Sequence, residues 1–559
     1  MPTLYKEAAR LPFFVGKVFR GEAWDFFPWG RLRGMKKNVL DALGFDAPYE
    51  TFELLETEQG QPGFFTARQR EKRVKESCGP VSPILEKNKR ILKRTFFGEI
   101  NPDLCFRPFL FCGEKQALAV FVSGMARGDA IGDYILKGAF MKTLPKGAEV
   151  IKFAMEQVFS LQEAEACASL DEAVAALCQG RTAVFFQGEG KGILLDTRGF
   201  DSRSISSCEN ENVVVGPHEA FTENLRTGVT QLRRIIQRPD LVCEFRQAGG
   251  RNKSRLALCY LKGVCNESLL QEVKKRLSRA DTELMLSAGT LEQLMEDHAL
   301  SPVPQILLTE RPDRVSAALM EGKVGILVEG SPQALVLPVT LGILLLSPED
   351  GYLRRPLGSL IRLVRLAGAT LSVLLPAWFL ALATHHQGLL NSQILATVIS
   401  SRRLVFMPVS LEIIFLLAVF QLVREAGVRV PGAVGQTVGI IGGLILGQAA
   451  VSANMVSTVA LITVALAGLG NFCIPDYSMQ LAVSFYRIFL CILGGLAGLL
   501  GVFTALLGCL ALLAGQKSFG VPFLSPFAPK TRSRAPLLVR GAINDPGIGE
   551  DDVNREAAP

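Results

Sequence analysis

The chain of 559 residues holds only four histidines, and His385 and His386 are neighbours without the spacing that puts two metal ligands on one helix face. A histidine-built metal site is therefore not expected. Its twelve cysteines, scattered from Cys78 to Cys509, form no C-x-x-C pair, which argues against a zinc site or disulfide frame and for reduced thiols. No Ser/His/Asp or Cys/His arrangement stands out, so neither enzymatic activity nor a cofactor is expected. The first 30 residues lack a continuous apolar core followed by a small-residue cleavage site, so no signal peptide is expected. A net charge of +7 is modest for this length and gives no reason to expect nucleic acid as a partner. The most telling shortage is charge itself: from Val430 to Gln516 only Asp476 and Arg487 carry one. Water cannot be the solvent of that stretch.

Residues 1–365, by contrast, carry 49 Lys+Arg and 45 Asp+Glu. The fold class expected is thus an α/β cytosolic region of two similar subdomains, followed by an all-α polytopic membrane domain of four to six spans. The divisions read as a basic extension over 1–109, subdomain 1 over 110–216, a linking helix within 217–249 and subdomain 2 over 250–345. The membrane domain then covers 346–516 and a tail 517–559. The runs RQREKRVKES and EKNKRILKR in the extension read as solvated helix faces, or as an arm touching anionic lipid.

The two subdomains come from an internal repeat. GRTAVFFQGEGKGILL at 180–195 aligns without a gap on GKVGILVEGSPQALVL at 322–337, each two apolar strands around a glycine turn. GEGKG therefore reads as a hairpin turn, because a phosphate loop leads from a strand into a helix. Capping-box spacing marks helix starts at Ser169 with Glu172 and at Thr290 with Gln293. In the linking helix Phe221, Leu225, Val229, Leu232 and Ile236 share one face, leaving Arg226, Arg233 and Arg234 to pair with acids.

RRPLGSLIRLVR reads as an amphipathic segment at a membrane surface, and spans are expected at about 366–384, 406–423, 433–451, 455–474 and 485–514. Arg354, Arg355, Arg362 and Arg365 before the first, and Arg424 and Arg429 after the second, place those ends in the cytosol. Arg402 and Arg403 then fall awkwardly on the outer side. Five spans also put the basic tail outside, which a sixth or re-entrant segment would cure.

The third span is rich in Gly, Gln and Thr where a plain anchor is rich in Leu, and it supplies the pore-lining or gating candidates Gln436, Thr437, Val438, Gly439 and Gln448. Tight packing through its glycines is the competing reading. For Glu412, pore lining, ion coordination and an internal ion pair remain open. Arg424, Glu425 and Asp476 form a membrane-interface motif.

Several segments together resemble the A-subunit family of bacterial spore germination receptors, the GerA family. They are VVVGPHEAFTENLRTGVTQLRRII at 213–236, LTERPDRVSAALMEGKVGILVEGSPQALVLP at 308–338 and REAGVRVPGAVGQTVGIIGGLILGQAAVSANMVS at 424–457, with IPDYSMQLAVSFYRI and KSFGVPFLSPFAP. The resemblance implies residence in the spore inner membrane with a transporter-like B subunit and a lipoprotein C subunit. It also implies a homo-oligomeric, ring-like channel that releases monovalent cations. The accessory stage V sporulation AF type shares that architecture; a self-contained secondary transporter and a non-conducting scaffold are the other classes considered. Where the family usually has E-P, an acid and R-G-P with a following glycine, this chain has Ser207-Cys208, Asn212, Val215-Gly216-Pro217 and Ala220. The usual D-Y-Y is Asp350-Gly351-Tyr352.

Overall fold

A computed structural model describes residues 77–145, 149–199, 208, 210–280, 284–429, 445–525 and 527–528. Two five-stranded antiparallel sheets dominate the first half. Strands β1 (Leu104–Phe111), β2 (Lys115–Val122), β3 (Ala164–Cys167), β4 (Thr182–Phe186) and β5 (Gly192–Leu195) lie in the order β1-β2-β4-β5-β3. Strands β6 (Leu241–Ala248), β7 (Ser254–Leu261), β8 (Leu307–Thr309), β9 (Val324–Val328) and β10 (Ala334–Leu337) repeat that order as β6-β7-β9-β10-β8. The repeated hairpins are β4–β5 and β9–β10. Their turns place Gly188 and Gly330 at φ +86° and +81°, a left-handed conformation that costs glycine least.

Both faces of each sheet are buried. Along β4, Val184 and Phe186 enter one core while Ala183 and Phe185 enter the other, the period-two consequence of strand geometry. Helices α1 (Leu85–Thr95) and α2 (Leu170–Cys178) cover one of these faces, so packing on the first sheet begins well before residue 110. Ser169 caps α2, accepting from the Asp171 amide at 3.1 Å. The linking helix α3 (Leu225–Ile235) buries Phe221, Leu225, Val229, Leu232 and Ile236. Its Arg233 pairs with Asp103 of the first subdomain at 3.0 Å, and Arg234 pairs with Glu219. Arg226 is exposed.

In the second subdomain α4 (Glu267–Arg279) and α5 (Ala288–Met295) cover one sheet face, and α6 (Pro312–Met320) and α3 the other. The helix expected to start at Thr290 starts at Ala288 instead, so that Thr290 lies inside its first turn.

The helical half comprises α7 (Arg355–Thr384), α8 (Ser392–Arg402), α9 (Val409–Arg429), α10 (Gly447–Ser452), α11 (Thr458–Phe472) and α12 (Tyr477–Gly515). By length and apolar composition α7 and α12 are long enough to cross a membrane. The basic segment expected to lie on a surface is continuous with α7. Its Arg362 and Arg365 turn inward onto Asp350.

The last span expected at 485–514 is likewise not one rod. Gly498 breaks α12 at φ 62°, ψ −143°, and the chain folds back. A Cβ on Gly501 would lie 2.0 Å from the Leu493 carbonyl oxygen, an approach eight residues apart that no straight helix permits. A Cβ on Gly498 would fall 2.7–2.9 Å from the His385 and His386 side chains. The two arms therefore run antiparallel, and both ends of α12 return to the α/β half.

After α12 the chain forms a strap. Lys517–Ser518 pairs with Val521–Pro522, and between them Phe519 is fully buried in the core of the second subdomain, with the Arg276 guanidinium 4.2 Å from its ring centroid. Ser518 donates to the Gln305 carbonyl at 2.6 Å and accepts from the Val339 amide at 3.0 Å.

Two substitutions probe this frame. Gly498→Val requires a β-branched residue at positive φ against two histidines, and about 2 kcal/mol or more of destabilisation is expected. Thermal unfolding of the detergent-purified variant at the wild-type midpoint would mean that the turn tolerates a side chain. Phe519→Ala is expected to cost about 3–5 kcal/mol, read in the same assay.

Candidate functional site

The acid within the apolar helices is engaged from several sides. Glu412, in the first turn of α9, is fully buried. Arg402 Nε approaches its Oε2 at 3.3 Å, while the Ser457 amide and hydroxyl donate to its Oε1 at 2.5 and 2.6 Å. Ser457 is itself the N-cap of α11, accepting from the Ala460 amide at 3.3 Å. The geometry is that of an internal ion pair joining the end of α8, the start of α9 and the start of α11. The awkward Arg402 is its cation.

The other candidates are dispersed. Gln436, Thr437, Val438 and Gly439 lie outside the described residues. Gln448 is exposed on α10, next to Gly447, which is buried against Leu461 of α11. Asp476 caps α12, accepting from the Met479 amide at 2.7 Å. Arg424 is buried with its guanidinium 5.7 Å from the Tyr477 ring centroid, so the end of α9 meets the start of α12. Glu425 beside it is half-buried.

Sequence reading passed over a junction between the two halves. Asp350, 1% exposed, receives both Nη atoms of Arg365 at 2.6 and 3.0 Å and Arg362 Nε at 3.4 Å. Nearby Arg311, fully buried, holds Asp313 at 2.8 Å and donates to the carbonyls of Glu211 and Pro217. The Tyr352 hydroxyl donates to Asp313 at 2.7 Å. Arg314 pairs with Glu211 at 3.3 Å and donates to the Ile343 carbonyl. Gly216 packs on the Tyr352 ring, where a Cβ would lie 2.7 Å away. Two stretches that depart from the family pattern, Val215-Gly216-Pro217 and Asp350-Gly351-Tyr352, thus touch. The signal for this junction was the run of arginines around 362, but interfacial anchoring accounted for it equally well.

Carboxyls on α5 line the same region. Burial first, then the carboxylates of Glu296 and Asp476, pushes Glu292 up to about 8 from 4.5. Glu296 is pushed up to about 7 by burial, against the pull of the Gln305 amide.

The matching family model is "Bacillus/Clostridium GerA spore germination protein", over residues 90–545. The chain belongs to the GerA family. It is 32% identical to spore germination protein GerLA of Bacillus cereus, over 76% of this chain and 87% of that one. It is 36% identical to spore germination protein A1 of Bacillus subtilis (strain 168), over 69% and 80%. The N-terminal domain of the A subunit of the Bacillus megaterium spore germinant receptor GerK3 superposes on 46% of this chain and 95% of its own, at 26% identity and a TM-score of 0.37. With two long apolar helices, this GerA-family chain is a membrane-associated protein.

Two outcomes are expected here. Glu412→Ala strands Arg402 without its counter-charge and should cost about 3–5 kcal/mol, measured against Glu412→Gln by thermal unfolding in detergent. For Glu292, a native value above the unfolded one means that the folded state holds a proton the unfolded state releases. Stability therefore falls as pH rises from about 4.5 to about 8. Glu292→Gln should raise the melting midpoint by a few degrees at pH 8 and leave it nearly unchanged at pH 4, below the unfolded value.

Proposed function

We propose that this GerA-family protein is an A-type subunit of a germinant receptor in the spore inner membrane. It assembles as a homo-oligomeric ring with a transporter-like B subunit and a lipoprotein C subunit, and it couples nutrient sensing to release of monovalent cations. The names of its relatives support the receptor role. The observation that carries the conduction reading is Gln448, an amide exposed on the short helix α10, nine residues after the Gln436-Thr437-Val438-Gly439 run in sequence. An amide facing hydrocarbon is costly, whereas identical copies ringed around an axis would face water there.

Six crossings fit this reading. They would be α7, α9, the stretch that ends in α10, α11 and the two arms of α12, and the turn at Gly498 would bring the tail back to the cytosolic side. Arg402 is outside but neutralised by Glu412, which removes its conflict with the positive-inside rule. A partner that binds the open ring more tightly than the closed one, by a few kcal/mol, suffices to switch it.

Potassium and sodium flux through liposomes holding the purified protein with its B- and C-type partners is the test, with oligomer size measured on the same sample. Flux that changes by tenfold or more with Val438→Lys or Gln448→Leu is expected. A ring whose flux ignores both substitutions would remove this helix from the mechanism, and an assembly without flux would leave a scaffold.

A further inference from the structure

Arg487 lies in the first arm of α12, about 15 Å of helical rise from its start. It is 2% exposed, yet no ion pair to a carboxylate holds it among the described residues. Its Nη1 reaches Ser372 Oγ at 3.3 Å and the Ala467 carbonyl at 3.5 Å, and its Nη2 reaches Ser484 Oγ at 3.3 Å. These are long contacts for a guanidinium. Its Nε has no partner among the described residues.

Beside it, Asn471 is fully buried with its amide oxygen unpartnered and its Nδ2 only 3.5 Å from Ser484 Oγ. A half-turn of that amide turns the Asn471 NH2 away from Ser484, whose single hydroxyl proton then moves from the Gln480 carbonyl to the Asn471 oxygen. Arg424 is near enough to repel Arg487, is 8% exposed, and has both terminal nitrogens without hydrogen-bond partners among the described residues.

From Gly351 to Lys530 the only carboxylates in the chain are Glu412, Glu425 and Asp476. Glu412 is engaged by Arg402 and Ser457, Asp476 caps α12, and among the described residues no hydrogen bond from Arg487 or from the terminal nitrogens of Arg424 reaches a carboxylate. Two buried like charges without a counter-charge are a costly arrangement in an apolar bundle.

We propose that a small monovalent anion binds between α7, α11 and α12, held by the Arg487 guanidinium with Ser372 and Asn471 as further donors and Arg424 as a second positive charge. The site lies apart from the α10 stretch assigned to conduction and stands whether or not that assignment does.

The probe is chloride. The full-length protein, in nanodiscs of phosphatidylcholine at constant ionic strength, is unfolded thermally while gluconate is exchanged for chloride. A saturable rise of roughly 3–5 °C is expected for wild type. Arg487→Gln should abolish it, and Arg424→Gln should raise the half-saturating chloride concentration about tenfold. If Arg487→Gln does not fold, Ser372→Ala and Asn471→Leu give the same reading by weakening chloride dependence. A wild-type midpoint indifferent to chloride would overturn the proposal, as would an equal shift in wild type and variants. Stabilisation by nanodiscs containing phosphatidylglycerol alone, with none by chloride or inorganic phosphate, would assign the charge to a lipid headgroup and equally overturn it.

Discussion

Neutralising charge where water is absent is the constraint on which the rest of this structure depends. Asp350, nearly inaccessible, gathers Arg362 and Arg365 at the foot of α7 and so fixes the angle at which the first long helix leaves the α/β half. Glu412 does the same for the ends of α8, α9 and α11. Removing either acid would leave buried arginines uncompensated, which is far more disruptive than losing an exposed pair. The helical half is thus pinned by polar contacts and only filled by apolar ones.

Apolar packing, in turn, makes the two halves mechanically continuous. A single cluster of buried side chains runs from Phe221 and Leu232 of the linking region, through α6 and β9, into Ala377, Ile413, Leu490 and Cys509 of the helices. Close-packed interiors transmit displacement rather than absorb it. A tilt of the second subdomain is therefore felt by α7 and α12, with the Arg311–Asp313–Tyr352 contacts on the same path.

Much of this was legible in the sequence because it is periodic. The repeated hairpins, the glycine at each turn and the apolar face of α3 are local patterns with a spacing, and the fold reproduces them residue for residue. What escaped is contact between distant residues. Nothing near Arg402 announces that Glu412 will neutralise it, and nothing in CILGGLAGLLGVF distinguishes one long helix from two until Gly498 is seen at positive φ against His385 and His386. The helix start after Ser287 escaped for a milder reason, since Ser287 lacks the acid or amide three residues on that completes a capping box, whereas Thr290 has one in Gln293. The candidate site was legible in its chemistry but not in its partners, so Glu412 could be picked out without its role being settled.

The strap around Phe519 has a consequence for how the protein is made. Residues that follow the described apolar helices fill a hole in a subdomain that precedes those helices in the chain. On the ribosome, then, the second subdomain must wait with an open core while every apolar helix emerges and inserts. Its completion reports that the helical half has been delivered, so a chain stalled or cut short before the strap is left with an open core in its second subdomain, where proteases can find it.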